Sequence, residues 1–272
     1  MEQIKMNSGQ SIPNIGFGTW QLSPKQAYQS VKDALKTGYR HIDTAKIYGN
    51  EEDVGRAVQD SGVKREDIFI TTKLWNSDQG YDSALKAFDD SLDRLGIEYL
   101  DLYLIHWPGD NHQRRHDSWK ALVEIQKSGR AKSVGVSNFT LKHLQDLFEA
   151  FPERPAVNQA EFHPFIFNEQ AGLLEFCKSN DILFEAYSPL ARGKLNDKLL
   201  GSIGGKYHKS ASQVMLRWAL QHGTVPLPRS SNVEHISENF EVFDFELATQ
   251  DMAEIDGITQ AGRTAWDPTG LP

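Results

Sequence analysis

An α/β fold of one kind, a closed (β/α)8 TIM barrel opened by a small N-terminal β-hairpin cap, is predicted by three features of this sequence. Short apolar strand candidates alternate with amphipathic helical segments along the whole chain. There are eight such strands, and 272 residues divided by eight leaves 34 per unit, room for a strand, a helix and two loops. The rival doubly wound sheet usually carries a glycine-rich phosphate turn early in the chain. Here Gly16-Phe17-Gly18-Thr19-Trp20-Gln21 has the first two glycines and lacks the third.

Each element has its own local signal. The opening "IKMNSGQSIP" reads as a hairpin turning at Ser8-Gly9. The strand candidates are 14–18, 39–43, 68–75, 100–107, 131–137, 156–162, 182–188 and 224–228. Ser23-Pro24-Lys25-Gln26 is a capping box with proline in the first helical turn, and Gly38 ends that helix. Leu85, Phe88, Leu92 and Leu95 form a helical stripe closed by Gly96. Ser210 and Gln213 repeat the capping box before a helix that stops at Gly223. "GSIGGKY" (201–207) is no P-loop, because Leu200 stands where the first glycine is required and Tyr207 where Ser or Thr is. No linker or low-complexity segment divides residues 1–272, so a single domain is expected.

Composition narrows the function. The net charge of −8 without a basic block argues against a nucleic-acid partner, which needs clustered Lys and Arg. No apolar run approaches the ~20 residues of a membrane helix, and "MEQIKMNSGQSIP" has no apolar signal core. The one cysteine, Cys177, forms no internal disulfide, so a cytoplasmic location is expected. With no long exposed apolar stripe, a monomer is expected.

Barrels of this kind place their chemistry at the C-terminal ends of the strands. The second strand ends in Asp43, with Tyr48 in the loop behind it. Alternation puts Phe69, Thr71 and Lys73 on one face of the third strand and Leu102, Leu104 and His106 on one face of the fourth. Taken singly, the aspartate is a turn former, the lysine a solvated charge, the histidine a hydrogen-bonded structural group and the tyrosine a packed ring. Their joint delivery to neighbouring strand ends points instead to a catalytic set. The chemistry suits carbonyl reduction. Lys73 would pull the Tyr48 phenol below its usual pKa of about 10, Asp43 would hold Lys73, and His106 would align the carbonyl oxygen. Tyr48 would then give its proton as hydride arrives at carbon. Trp20, Trp75 and Trp107 stand at strand ends and are expected to wall the substrate pocket.

No metal is expected. His112 and His116 have i, i+4 spacing with His106 nearby, but "NHQRRHD" is polar and charge-dense with no apolar wall. The first strand also lacks the paired histidines of a barrel metallohydrolase.

The motifs "GFGTW", "HIDTAKIYGNE", "TTKLW", "DLYLIHWP", "VGVSNF", "NQAEFHP" and "AYSPLARG" resemble the aldo-keto reductases, in order over residues 4–272. The short chain and the ending "WDPTGLP" are most similar to the bacterial 2,5-diketo-gluconate reductase type. The resemblance implies a (β/α)8 barrel that uses NADPH without a Rossmann domain, with Asp43, Tyr48, Lys73 and His106 as its catalytic tetrad. It also implies that Ser137, Asn138 and Gln159 bind the nicotinamide carboxamide, that Tyr187 stacks on the ring, and that Ser188, Leu190 and Gly193 cross the pyrophosphate. Glu238 and Asn239 match the adenine-binding positions. The family pattern Ile-Pro-Lys-Ser, with arginine five residues after the serine, is altered here to "PLPRSSNVEHISEN". Arg229 therefore replaces the lysine and His235 the arginine. Arg229 and Ser230 can still hold a 2′-phosphate, near a helix that Ser231 and Glu234 are expected to cap. NADPH preference weaker than usual, with NADH use, is the expectation. The short loop after His106 and the short tail after Arg263 imply an open pocket for small or polar carbonyls, with Arg114, Arg115 and His112 as solvated loop charges. A cofactor-binding regulatory protein with the same barrel and little turnover is the alternative function.

Overall fold

The chain is described by a computed structural model covering residues 2–259 and 262–272. Strands β1 (Gln3–Lys5) and β2 (Ser11–Pro13) form the antiparallel hairpin, with Gly9 at φ 83° supplying its turn. Eight further strands follow: β3 (Phe17–Gly18), β4 (His41–Asp43), β5 (Phe69–Leu74), β6 (Leu100–Ile105), β7 (Ala131–Ser137), β8 (Val157–Glu161), β9 (Leu183–Tyr187) and β10 (Val225–Leu227). They pair in chain order and all in parallel. Two backbone bonds join the ends of the series, Gly16 N–H to the Pro226 carbonyl and Gly18 N–H to the Pro228 carbonyl, both at 3.0 Å. A Cβ on Gly16 would fall 2.5 Å from both His41 Nδ1 and Leu227 Cδ2. That glycine serves the close approach of the first and last strands, which explains it without a phosphate.

Several paired strands are shorter than the apolar runs that predict them. Ile15, Tyr39, Ile68 and Phe162 flank the ladders and are buried without belonging to them, so apolar character extends beyond the hydrogen-bonded span.

The helices between strands are α1 (Pro24–Thr37), α2 (Glu51–Gln59), α3 (Tyr81–Leu95), α4 (His112–Lys127), α5 (Leu141–Ala150), α6 (Phe167–Ser179), α7 (Lys198–Tyr207) and α8 (Ala211–Gln221), and α9 (Val233–Phe240) and α10 (Thr249–Asp256) follow β10. The signals read from sequence coincide with several ends. Gln26 accepts from the Ser23 backbone at 3.1 Å, Ser210 and Gln213 cap α8 reciprocally, and Gly96 closes α3 at φ 63°. The glycine-containing segment 201–207 is the body of α7. The cap of α9 is corrected: Asn232, not Ser231, accepts from the Glu234 and His235 N–H groups. Its side chain reaches both amides, which leaves Glu234 no capping task. No helix among the described residues is long and apolar enough to cross a membrane.

Two apolar cores result. The larger lies between the outside of the barrel and the helices and includes Trp119, Phe88, Leu122, Phe162 and Trp218. The smaller plugs the bottom of the barrel, where Phe69, Leu102, Leu104 and Val157 point inward against Met6 and Ile12 from the hairpin. Above that plug the interior turns polar.

Candidate active site

The polar layer is built by the strand register. Asp43 lies beside Thr71, and Lys73 is two residues further up β5, level with Leu104 of β6. Lys73, wholly buried at 0% exposure, donates to Asp43 Oδ1 at 2.7 Å, to Oδ2 at 2.8 Å and to the Thr44 carbonyl at 2.8 Å. Its ammonium also lies 3.4 Å from the Tyr48 hydroxyl. Burial works against the Lys73 charge, but Asp43 and Tyr48 outweigh it, and the amine titrates above its usual range.

Tyr48 reaches this place through a short 3-10 turn, Lys46–Tyr48, ended by Gly49 at φ 67°. Asn50, buried just beyond, ties that turn down. It accepts from Thr44 Oγ1 at 2.9 Å and donates to the Thr19 and Leu22 carbonyls at 3.0 and 3.1 Å. The run of residues after Asp43 is thus a fastened loop that returns the tyrosine over the aspartate. Lys73 does lower the Tyr48 pKa, but the expectation that the phenol titrates below its usual value needs correction. Burial raises it most, Lys73 lowers it and Asp43 raises it, with a net rise above 10. The phenol holds its proton at neutral pH.

His106 follows the last residue of β6, and its N–H donates to the Leu74 carbonyl at 3.0 Å. Its ring lies edge to face with Tyr48 at 5.7 Å and with Trp75 at 5.2 Å. Burial, and then the Lys73 charge, depress its pKa well below 6.5, so the imidazole is neutral. Nδ1 is buried without a partner. A bare acceptor is less costly there than an orphaned N–H, which leaves Nε2 to carry the hydrogen.

The residues that follow on β7, β8 and β9 are bound into the same network. Asn138, at φ 63°, donates to the His106 carbonyl at 2.9 Å and accepts from the Tyr187 hydroxyl at 2.7 Å. The Ser137 hydroxyl donates to the Gln159 carbonyl at 2.9 Å. Gln159 Nε2 donates to Asp43 Oδ2 at 2.9 Å and to Glu185 Oε2 at 2.8 Å. Both amide hydrogens point inward, so Oε1 is the atom left to present to a ligand. The loop after β9 is strained: Ser188, Ala191 and Arg192 have φ of 49°, 46° and 52°. It carries Leu190 and Gly193, and Arg192 lies over the Trp20 ring at 4.5 Å. Arg229 is exposed and makes one long contact, 3.4 Å, to Gln21. Ser230 is nearly buried, and its oxygen accepts from the Asn232 N–H at 3.0 Å. His235 is exposed in the first turn of α9, with Glu238 and the buried Asn239 one turn further along.

Trp20, Trp75 and Trp107 are half-buried at the barrel mouth. Trp107 packs on Trp266 with ring centroids 5.0 Å apart. Trp266, 57% exposed, comes from the tail, and sequence reasoning missed it. The tail is held by Glu161, another buried residue it missed, which accepts from the Thr264 N–H at 2.6 Å and the Ala265 N–H at 3.1 Å. The alternation of β8 puts Glu161 on the same side as Gln159, and that was the available signal. Beneath the tetrad lie two more overlooked polar groups, His41 and Glu185. His41 Nε2 is 3.1 Å from Thr71 Oγ1, and burial, then Lys73, lower its pKa to about 3. Burial and, secondarily, Asp43 raise that of Glu185 to about 8.

Arg114, Arg115 and His112 are not loop charges, since all three lie in α4. Arg115 is only 1% exposed and donates to the Pro272 carbonyl at 2.9 Å. Arg114 grips the Gln79 carbonyl at 2.6 Å.

A barrel whose open end gathers an ion-paired lysine, a tyrosine and a neutral histidine belongs to a redox enzyme class, the nicotinamide-dependent oxidoreductases. Comparison with known proteins agrees. Residues 14–260 match the model of the aldo/keto reductase family. A glyoxal reductase from Bacillus subtilis (strain 168) is 46% identical over 272 residues, covering 99% of this chain and 97% of that protein. A 9,11-endoperoxide prostaglandin H2 reductase from Trypanosoma cruzi (strain CL Brener) is 44% identical, covering 97% and 94%. The crystal structure of a Gox0644 mutant in complex with NADPH superposes with a TM-score of 0.93 at 42% identity, covering 100% and 98%. The chain belongs to the aldo/keto reductase family and is an NAD(P)H-dependent oxidoreductase.

Proposed function

We propose that this protein reduces small aldehydes, ketones or keto-sugar acids to alcohols with NADPH, Tyr48 being the proton donor. One observation carries the reading: a single buried ammonium, Lys73, is clamped by both oxygens of Asp43 and directed at the Tyr48 hydroxyl beside a neutral His106. NADPH, when bound, would supply the hydride. The fit of the chain to that cofactor rests on groups already oriented: Gln159 Oε1 is free to accept from an amide, Tyr187 is locked to Asn138, and Arg229 has only one weak partner. Ser137, Asn138, Gln159 and Tyr187 would hold the nicotinamide end. Ser188, Leu190 and Gly193 would cover the pyrophosphate, Arg229, Ser230 and His235 would meet the 2′-phosphate, and Glu238 and Asn239 the adenine.

His106 Nε2–H orients the carbonyl oxygen, and the Tyr48 phenol, protonated at neutral pH, delivers its proton there. Lys73 then stabilises the phenolate left behind, a charge that exists only after the transfer. Trp20, Trp75, Trp107 and Trp266 wall the pocket. Relatives of nearly equal identity carry names as different as glyoxal reductase and prostaglandin H2 reductase, so the substrate is argued from this pocket. Arg229 is an exposed cation, and His235 is exposed too. That supports NADPH preference with measurable NADH use. A monomer is the proposed assembly, since the reaction as written needs no residue beyond those named.

The test is the rate of NADPH and NADH oxidation with methylglyoxal and glyoxal, for the wild type and Tyr48→Phe. Turnover that collapses in the variant while NADPH binding survives supports the reading. Tight NADPH binding with negligible turnover in the wild type would favour the regulatory alternative.

A further inference from the structure

In the outer layer of helices, α4 and α5 bring three metal-ligating side chains together. His112 and His116 lie one turn apart on α4, with rings 4.0 Å apart between centroids. Both direct Nε2 at the carboxylate of Asp146 on α5, His112 to Oδ1 at 2.5 Å and His116 to Oδ2 at 2.9 Å. One donor atom from each residue falls within 4.8 Å of the others. Side-chain exposures of 52%, 12% and 26% leave one open side. The Phe151 ring walls the other, edge to face with His116 at 5.1 Å.

We propose that His112, His116 and Asp146 form a binding site for a transition-metal dication of the zinc class, which clamps α4 to α5. The donor set decides the class. Two imidazole nitrogens and one carboxylate oxygen suit zinc, nickel, cobalt or copper, whereas magnesium and calcium demand oxygen ligands. Zinc sits about 2.0–2.2 Å from such nitrogens and oxygens. It would therefore enter between the rings and the carboxylate, replacing both hydrogen bonds, with water in the remaining position. Each imidazole then carries its hydrogen on Nδ1.

Arg115 supplies the outer partner. Its Nη2 lies 3.3 Å from Asp146 Oδ2, while Nη1 holds the Pro272 carbonyl at 2.9 Å. With Oδ1 given to the metal, Oδ2 keeps its arginine and the carboxylate stays oriented. The guanidinium and the positive end of the α4 dipole both oppose a cation. That opposition further excludes ions held by charge alone. The site lies in the helices that follow β6 and β7, so bound metal ties together the elements behind His106 and Asn138 and the chain's last residue. Its role is structural, and it takes no part in hydride transfer.

The test is calorimetric titration of the full chain, freed of metal by chelation, with zinc, nickel and magnesium chlorides. His112→Ala, His116→Gln and, as a control on another exposed histidine, His208→Asn are run beside the wild type. One zinc and one nickel per chain are expected, with no magnesium binding. Affinity should fall at least tenfold in each of the first two variants and be unchanged in the third. Zinc should raise the unfolding temperature of the wild type and leave that of His112→Ala where it was. No zinc binding by the wild type, or equal binding by the His112→Ala and His116→Gln variants, would overturn the site. Equal magnesium binding would overturn the ligand class. All these readouts are independent of reductase turnover.

Discussion

Replacing Glu185 by glutamine probes the buried polar layer beneath the tetrad. Glu185 is fully enclosed, with Gln159 Nε2 on Oε2 at 2.8 Å and His41 Nε2 3.6 Å from Oε1. Asp43 repels its charge and Lys73, further off in effect, favours it. Burial is the largest influence, and the carboxyl moves from 4.5 to about 8. The folded protein therefore keeps a proton that the unfolded chain has already lost, and stability falls as pH rises between those values. The linkage amounts to about 1.4 kcal/mol per pH unit, or ~5 kcal/mol across the whole window. Glutamine mimics the neutral acid: its oxygen can still accept from Gln159, and it has no charge to bury. Urea unfolding of both proteins from pH 4.5 to 9 should give a stability difference that grows in favour of Glu185→Gln up to about pH 8 and is level above it. Parallel stability curves would refute the reasoning, because they would mean that Glu185 carries the same charge in both states.

Four shorter predictions follow from the same geometry. Tyr48→Phe should lower kcat by about 10²- to 10⁴-fold, the usual contribution of a positioned acid, with NADPH affinity by fluorescence titration nearly unchanged. Arg229→Ala should weaken NADPH binding by about 10- to 100-fold, matching the ~1.5–3 kcal/mol of a charge-assisted hydrogen bond, and leave NADH binding alone; equal losses for both would mean that the arginine does not meet the 2′-phosphate. Glu161→Gln should loosen the tail, raising KM more than it lowers kcat, and trypsin should cut after Arg263 faster than in the wild type. Gly55→Ala places a Cβ 2.0 Å from the Leu95 carbonyl oxygen where α2 crosses α3. It should cost ~2–3 kcal/mol in urea unfolding through overpacking; an unchanged midpoint would show that the two helices separate freely.

Local signals carried much of this protein. Caps at Ser23 and Ser210, glycine stops at Gly96 and Gly223, and eight apolar runs each act over a few residues, so the strand–helix alternation was legible and the barrel followed from it. Strand alternation likewise put Lys73 and His106 on inward faces, and four site residues could be named before any coordinate was known. The sequence determined which residues reach the mouth of the barrel. Only the tertiary structure decided what they do to one another. The Tyr48 pKa rises because enclosure outweighs one ammonium, and enclosure is a property of the closed barrel. Glu185 looked like one more residue of a β-run, and it becomes a neutral acid under Asp43 because β8 and β9 curl around to face β4. Arg115 read as a loop charge until the packing of α4 on the tail buried it, and Trp266 gained a role only where Glu161 holds that tail against Trp107. Charge state and burial depend on neighbours more than 100 residues away in the chain, such as Gln159 beside Asp43, and no local pattern encodes that distance.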